Sequence, residues 1–557
     1  MRRHYNLTIT SLNNCTVSKD NLLLEYMTKL PSDISVLIVG AGPSGLMMAA
    51  QLLRNGIHPV IIDSKIKATS ESRAIVVQAR SLEIFRQLGL DTSLIRQGNI
   101  VKEIAIHSDI DEVTTIDFSL LADDSTAFPY VLILEQSKTE RILIDYLTSN
   151  ACPIYWNTEL LNLDQTDDGV LVNICRNGEQ QVLSARWLVG ADGASSNVRT
   201  KLGIGFKGGV YKNRFYLADL KLPQEIGQES IRILLKNEGF VSYFPMGEGN
   251  VRFIGVLPQT LEQRTMVTFQ DIKPYLTYTL GFSTQQEYLT WFSVYKAHRQ
   301  IAEVFRSRNC FLIGDAAHVH SPIGGQGMNA GLQDAYNLAW KLAGVVRGDF
   351  DPKILRTYEE ERMPVAKQLL RTTDRVTSWV MFQNGLIKTF RNWVLPKLVP
   401  LFWSTERMRK QVFTLLSQTG ITYRGKRLSV DHSSSKKVKA GDRLPYLTIF
   451  DEKTGKETDL HSWSLKTGFT LLVVGKLNDR DLFLLAKWIT DTYPRGLNFY
   501  YLPPSEKNKH FFEYFEVSEK SKKALIIRPD MHIGYLNDAV VIEMLDIYLK
   551  EAMGWRK

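Results

Sequence analysis

The stretch from Ile34 to Asp63, ISVLIVGAGPSGLMMAAQLLRNGIHPVIID, constrains this chain more than any other. Val36 to Val39 is a short apolar run closed by glycine, the pattern of a strand buried on both faces of a parallel sheet. Gly40-Ala-Gly42-Pro43-Ser44-Gly45 follows at once, and Leu46 to Leu53 has helical propensity and an apolar face. Asn55-Gly56 stops that helix, and Val60-Ile61-Ile62 reads as a second strand ending in Asp63. Strand, glycine turn, helix, strand and acid form the context in which GxGxxG binds an adenine dinucleotide, with the acid about 20 residues after the first glycine to meet a ribose hydroxyl. Gly40 permits the tight turn, Gly42 lets a pyrophosphate approach the backbone, and Gly45 lets the helix pack close to the strand. The helix N-terminus adds N–H groups and positive dipole for the phosphates. A serine nucleophile elbow is excluded, because it needs G-x-S-x-G and Gly42-Pro43-Ser44-Gly45 is one residue short.

At 557 residues the chain has room for three or four domains of about 150 residues each. Its 44% hydrophobic and 23% charged content is that of a soluble globular protein. The net charge of +9 raises a nucleic-acid reading, but 68 basic residues are interspersed with 59 acidic ones and no basic block interleaves with aromatics. Nucleic acid is therefore not expected as a partner, and the basic excess reads as solubility and attraction of anionic cofactors such as NADPH. Cys15, Cys152, Cys175 and Cys310 lie far apart and form no CxxC, which gives neither a zinc site nor a disulfide framework and suits a reducing cytoplasm. Residues 1–30 lack an apolar h-region and a cleavage site, so they read as a disordered leader rather than a secretory signal.

Two further junctions carry chemistry. In WLVGADGASSNVRTKLGI, Trp187 to Ile204, an apolar strand runs into Gly190-Ala-Asp192-Gly193 and then a helix start. In CFLIGDAAHVHSPIGGQGMNAGLQDAYNLAWKLAGVV, Cys310 to Val346, a strand ends in Gly314-Asp315, and a glycine-rich loop from Pro322 to Gly327 opens a helix near Met328. That helix places Leu332, Ala335, Leu338, Leu342 and Val346 at the 3.6-residue period. A strand-end aspartate can bind a polyol hydroxyl, and a glycine loop opening a helix offers N–H groups to an electron-rich group. His318 and His320, at i and i+2 with no third ligand nearby, read as loop or surface histidines rather than a metal site. No second GxGxxG is present, since Gly203-x-Gly205 lacks the strand context.

Together, GAGPSG, GADGASS and GDAAHVHSPIGGQGMNAGLQDAYNLAWKLA resemble the class A flavoprotein aromatic hydroxylases, the group of para-hydroxybenzoate hydroxylase and phenol 2-monooxygenase. Arg73-Ala74, Gln78 to Glu83, Gln136 with Glu140, and Tyr358 to Arg362 with Pro364 are similar to that family too, so the resemblance covers roughly residues 34–366. It implies FAD and NAD(P)H as cofactors, with Gly40, Gly42, Pro43, Ser44, Gly45 and Asp63 around the adenosine half. The family often has Glu where Asp63 stands. Arg73 and Gln136 would lie along the pyrophosphate and ribityl side, and Asp192 in the motif associated with both FAD and the nicotinamide nucleotide. Gly314 and Asp315 would meet the ribityl hydroxyls and Pro322 would sit over the flavin. The backbone from Gly324 to Asn329, with Gly325, Gly327 and Met328, would donate to the pyrimidine edge of the isoalloxazine.

The implied architecture is α/β and α+β: a Rossmann-like FAD-binding domain (31–110, 130–207 and 300–366) with an inserted β-sheet substrate domain (111–129 and 208–299). A helical region and linker (367–435) and a thioredoxin-like domain (436–557) follow. The β-rich stretch from Gly208 to Gln300 offers Arg214, Tyr216, Tyr243, Phe244, Tyr295 and His298, with Pro322, as pocket candidates, each more readily read as strand packing or a solvent-facing position. No catalytic base stands out. TSWVMFQNGLIKTF and NWVLPKLVPLFW read as core helices, too interrupted by Lys388, Arg391, Pro396 and Lys397 for a membrane span; a basic amphipathic surface helix with peripheral membrane contact is the alternative. The composition shifts to a linker near Asp431. The C-terminal part resembles the thioredoxin-like domain of the phenol 2-monooxygenase branch, without its CxxC, which makes it a structural or homodimerising element. The reaction implied is hydroxylation of a small phenolic or polycyclic aromatic with dioxygen through a flavin hydroperoxide. The rivals are epoxidation, oxidation or reduction on the same scaffold, or a silent flavin-binding or membrane-associated protein.

Overall fold

The computed structural model describes residues 30–31, 33–69, 74–107, 112–118, 125–222, 229–236, 239–280, 288–321, 324–381 and 405–556. The leader, Arg73, Pro322 and the stretch from Phe382 to Trp403 lie outside the described residues. The chain enters its first sheet at β1 (Ile34–Val39), turns into α1 (Pro43–Arg54) and returns as β2 (Val60–Ile62). The helices α2 (Ala79–Gln87) and α3 (Gln136–Ser149) follow, and then the long strand β3 (Glu179–Gly190), after which Ser196 caps the short helix α4 (Asn197–Lys201).

The inserted sheet comes next. Its main strands are β4 (Phe206–Lys221), β5 (Gly239–Gly247), β6 (Asn250–Val256) and β7 (Leu289–Ala302), with α5 (Phe269–Leu280) between the last two. The strand Glu103–His107 joins this sheet by pairing parallel with Ser230–Lys236, so the insert draws on residues well before 111, where the sequence placed its start. A pairing across more than a hundred residues leaves no local trace in the chain.

The first sheet is completed by β8 (Cys310–Leu312), which runs parallel to β3. The order β8–β3–β1–β2 is parallel throughout, with Ile154–Tyr155 parallel to β2 beyond it. Wholly buried runs such as Val36 to Ile38 and Phe311 to Ile313 fit strands covered on both faces. Two long helices, α6 (Gly327–Arg347) and α7 (Arg356–Met381), and the shorter α8 (Glu406–Leu416) follow. No helix among the described residues is long and apolar enough to cross a membrane.

The C-terminal part is built as β9 (Phe469–Gly475), α9 (Asp479–Thr492), β10 (Leu497–Leu502), α10 (Lys509–Tyr514), β11 (Lys522–Ile527), β12 (Ile533–Asn537) and α11 (Ile542–Ile547). Its strands lie in the order β10–β9–β11–β12, β9 parallel to β10 and the other pairs antiparallel. The stretch read as a linker at Asp431 is instead an edge strand of this sheet. Val430–His432 pairs parallel with Tyr535–Asn537, and Asp538 accepts from both the backbone N–H and the hydroxyl of Ser434. The strand is Val430–His432 alone; the Ser- and Lys-rich residues 433–437 lie beyond it and are held by Asp538 and Glu516.

This unit is joined to the first domain through buried charge. The β11–β12 turn inserts Arg528 and Asp530 between α6 and α7. There Arg528 donates to Glu361 at 2.6 and 2.9 Å, Lys341 Nζ donates to Glu361 at 2.7 Å, and Trp340 Nε1 donates to Asp530 at 3.1 Å. On α2, Arg80 donates to the Asp530 carbonyl and to Glu83, and Glu83 also accepts from Arg443. Lys341, Glu361 and Arg528 have no solvent-exposed side-chain surface.

Candidate active site

Because β8, β3, β1 and β2 run the same way, the loops leaving their C-terminal ends open at one edge of the sheet, where parallel α/β sheets bind ligands. That geometry brings Gly40–Gly45, Asp63, Gly190–Gly193 and Gly314–Ala316 together across a chain separation of more than 250 residues. Backbone bonds lock them: Gly40 N donates to Ile62 O, Ala191 N to Val39 O, and Ile313 N to Gly190 O.

The glycines divide into those the protein needs for its own packing and those, Gly42 and Gly327, that it does not. A Cβ on Gly45 would fall 1.9 Å from the Gly40 carbonyl oxygen, and one on Gly40, at φ +108°, would lie 2.4 Å from the Ala191 oxygen. A Cβ on Gly314 or Gly331 would lie 2.3 Å from Ser44 Oγ, so Ser44 seats α1 against α6. At Gly42 a Cβ would meet nothing within 4 Å, at an ordinary φ of −82°. The space beside Gly42 is open, as a phosphate cradle requires.

Two helices start at this edge, and neither is capped by a side chain. Gly42 at α1 and Gln326 at α6 make no side-chain cap bond, and neither helix has an acidic residue in its first turn. By contrast Ser196 caps α4 and Asn478 caps α9. Uncapped N–H groups with the positive end of the dipole favour an anion or an electron-rich group. Buried acceptors add to the pattern: Gln78 Oε1 and Glu140 Oε2 have no hydrogen-bond partner among the described residues. Gln78 Nε2 donates to the Gly324 carbonyl, which places that side chain beside the glycine loop. These features fit an adenine dinucleotide along the first turn and a second electron-rich ring system at α6.

Asp63 is 6% exposed, and its carboxylate accepts from Ala41 N at 2.7 Å and Lys65 N at 2.8 Å, holding the turn opposite Gly42. Gln136 bridges Ala74 N and Glu140, and burial raises the pKa of Glu140. Asp192 is spent locally: it accepts from Ser196 Oγ at 2.5 Å and from Val198 N at 3.0 Å, which fixes the turn into α4, and burial raises its pKa. Arg199 ties this motif to the third by donating to Ala316 O and Ala194 O. Asp315 is exposed within the turn Gly314–Ala316. Asn329 is wholly buried: its amide donates to Val76 O and Gly325 O, and its carbonyl accepts from Gln78 N and Ser81 Oγ, so α6 is clamped to α2.

His318 and His320 are not surface histidines. His318 Nε2 lies 2.6 Å from Asp334 Oδ2, His320 Nε2 lies 2.9 Å from His318 Nδ1, and both rings are buried. Asp334 also accepts from Gly314 N at 3.1 Å and Arg362 Nε at 2.7 Å. Burial alone would raise its pKa, yet His318 and Arg362 hold it down at about 2. Asp334 thereby fixes the turn that carries Asp315. It lies inside the third motif, in GLQDAYN, but the sequence reading gave it no role.

The inserted sheet separates its candidates by parity, since neighbours in a strand point to opposite faces. Phe215, Phe240, Val256 and Ala297 form one cluster with Tyr295, whose ring stacks on Phe215 at 5.9 Å. Farther along the same face, Phe244 and Met246 pack with Ile75 and Val76, and Val76 lies against Gly325, so this face looks toward the glycine loop. Tyr216 and Tyr243 are on the other face, buried with Phe269, Ile272 and Leu276 under α5 and its flank, and burial pushes both hydroxyls up. Arg214 is held by Leu261 O and Glu262, and His298 pairs with the exposed Val210. These four therefore lie away from the loop-facing side of the sheet, whereas Tyr295 and Phe244 lie on it. The loop-facing side also holds an ion pair that no motif announced: Arg252, 1% exposed, donates to Asp219 at 2.7 and 2.6 Å and lies over Trp291.

A parallel sheet with a glycine turn, uncapped helices at its C-terminal edge and an inserted aromatic sheet over that edge define a dinucleotide-binding fold of the Rossmann type. More particularly, the chain belongs to the FAD binding domain family, whose model matches residues 33–373. This is the family expected from the three motifs. It is 36% identical over 359 residues to 6-methylpretetramide 4-monooxygenase of Streptomyces rimosus, covering 63% of each chain. It is also 36% identical over 360 residues to pentachlorophenol 4-monooxygenase of Sphingobium chlorophenolicum, covering 63% of this chain and 65% of that one. The matched region thus spans a little under two thirds of these relatives. Among solved structures, a ternary complex of aklavinone-11 hydroxylase with FAD and aklavinone superposes with a TM-score of 0.77 over 94% of this chain and all of that one, at 22% identity, a likeness of fold.

Proposed function

We propose that this protein is an FAD-dependent monooxygenase that uses NAD(P)H and dioxygen to hydroxylate a phenolic or polycyclic aromatic substrate. The observation that carries the reading is the convergence of Gly42, Asp63 and Asp315 with two uncapped helix N-termini, beneath the aromatic face of the inserted sheet. The relatives named as monooxygenases of 6-methylpretetramide and of pentachlorophenol support it.

Bound FAD supplies hydride acceptance from NAD(P)H and activation of dioxygen for transfer of one oxygen atom to the ring. The chain's own residues do the rest. Gly42, Pro43, Ser44 and Gly45 present the phosphate cradle, and Asp63 fixes the adenosine end. Asp315 and Gln136 would flank the ribityl side, and the backbone N–H groups from Gly324 to Asn329 would face the ring edge and stabilise negative charge there. Those donors are set before the reaction by the Asn329 clamp to α2, so no reorganisation is needed when charge appears. Phe215, Phe244 and Tyr295 line an apolar wall that excludes water, and the Asp219–Arg252 pair is the fixed charge on the same side. Residues 436–557 belong in this reading as a thioredoxin-like unit without a CxxC. Their strand–helix–strand–helix–strand–strand–helix order supports it, with the β10–β9–β11–β12 sheet.

Anaerobic bleaching of the bound flavin by NADPH, with and without a panel of phenols and polycyclic phenols, tests the reading. One compound should accelerate reduction by orders of magnitude, and under labelled dioxygen the product should carry one label. An unlabelled product would overturn the monooxygenase assignment in favour of oxidation or reduction. Asp315→Ala should lose most of its flavin, and full occupancy would contradict the site.

A further inference from the structure

A cavity lies beside the site just described and shares Gln326 with it. It has a volume of about 680 Å³, is open to solvent on one side, and is bordered by α7, α8, the turn that follows α8 and the start of α6. Pockets of about 300–1,000 Å³ bury most of a drug-sized ligand. It touches Gln326 and Ala330, one turn apart on α6, whereas Gly331 abuts Ser44 and Gly314 on a different face. The cavity therefore borders the first turn of α6 from another side than the phosphate cradle.

The chemistry of the lining selects its occupant. The walls are aliphatic: Val365, Leu369, Leu415 and Ile421. Its polar groups are mainly uncharged amides and hydroxyls, among them Gln368, Thr372, Gln411 and Thr422. The two charged side chains, Glu406 and Lys410, pair with each other at 2.6 Å. Such a site has no net charge to offer an ion, and it matches a flat apolar body edged with hydroxyl or carbonyl groups.

The floor is connected to the glycine loop. Gln418, 4% exposed, holds a left-handed backbone at φ +57°, uncommon for a residue with a side chain. Its amide nitrogen donates to the Gln326 carbonyl at 3.3 Å and to the Gln326 side-chain oxygen, and its own carbonyl accepts from Gln333 at 2.5 Å. A strained residue held by three bonds to the helix that opens at the flavin loop is a device that can report occupancy to that loop.

We propose that this cavity is a second ligand site, separate from the sheet-facing one, for an uncharged hydroxylated aromatic of two to four fused rings, and that Gln418 transmits its occupancy to the first turn of α6. The transmission rests on the reading of Gly327–Asn329 as the ring-binding segment, whereas the cavity itself does not. The test uses the holoenzyme and 1-hydroxypyrene at neutral pH, with stoichiometry and affinity from probe fluorescence and the flavin spectrum recorded alongside. Leu415→Trp and Gln411→Trp sit on the exposed side of α8, fill the cavity from its rim and leave the helix core untouched. Each should remove one binding event, or weaken it at least tenfold, with flavin content unchanged. Gln418→Leu should keep probe binding and lose the flavin spectral change that accompanies it. Wild-type stoichiometry and affinity in both tryptophan variants would overturn the site, as would a wild-type protein that binds no probe. A spectral change that survives Gln418→Leu would overturn the transmission. None of these readouts depends on turnover, so failure here is distinguishable from failure of the monooxygenase reading.

Discussion

Substituting Glu361 by Gln should destabilise the whole protein by about 3 kcal/mol. Glu361 is fully buried and takes hydrogen bonds from Arg528, Lys341 and Asn337. Burial by itself would raise its pKa, but Arg528 and Lys341 reverse that and hold it at about 2 against an unfolded value of 4.5. A difference of that size corresponds to roughly 3 kcal/mol at about 1.36 kcal/mol per unit. It agrees with the roughly 3–5 kcal/mol seen when one member of a buried pair is removed and its partner left uncompensated. The folded pKa is depressed, so the contribution is complete above pH 4.5 and disappears as pH falls through about 2. Lys341 has the opposite sign. Burial lowers it to about 8 from 10.5, with Glu361 opposing, so its destabilising charge is relieved as pH rises from about 8 toward 10.5. Guanidinium unfolding of the holoprotein at pH 7, followed by far-UV circular dichroism, measures the effect. The variant's midpoint should drop, and its acid limb between pH 4.5 and 2 should flatten relative to wild type. A Glu361→Gln protein within about 0.5 kcal/mol of wild type, with an unchanged acid limb, would refute the argument that these charges weld the C-terminal sheet to α6 and α7.

Gly42→Val and Gly45→Val should behave differently although both alter the same fingerprint. The first places its side chain in open space and should fold normally with at least tenfold less bound flavin; the second drives a Cβ into the Gly40 carbonyl and should yield little soluble protein. Flavin-to-protein absorbance ratios and circular dichroism separate the two. In the inserted sheet, Tyr295→Phe should alter substrate affinity measurably, whereas Tyr216→Phe, under α5, should change kcat/KM less than twofold. Steady-state kinetics with the substrate found in the reduction assay decides this, and the reverse ranking would mean that the two faces have been assigned the wrong way round.

The chemical edge of the protein was legible because its requirements are local. A tight turn, a close backbone approach and a helix opening at a phosphate each need particular residues at fixed spacing, so Gly40, Gly42, Gly45, Asp63 and the GGQGMN loop could be singled out as candidates without a structure. Asp192 was legible as a motif, but its carboxylate serves the turn into α4, a use only the coordinates reveal.

What the sequence could not decide depends on contacts between distant segments. A β-rich stretch does not declare which of its two faces meets the cofactor domain, because a shift of one residue exchanges them. That is why Arg214, Tyr216, Tyr243 and His298 read as pocket candidates while Asp219 and Arg252 did not. Asp334, His318 and Glu361 lay inside quoted motifs without an assigned role, and their importance comes from desolvation together with partners 16 to 167 positions away. The sequence by itself determined the nucleotide-binding turns, the helix that opens at the glycine loop and the family to which they belong. Tertiary structure alone decided which sheet face looks toward that loop, that Val430–His432 is an edge strand, and that the C-terminal sheet is bound in by buried charge. The first set is written in backbone geometry, which each segment carries with it, and the second in burial and pairing, which exist only once the chain has closed on itself.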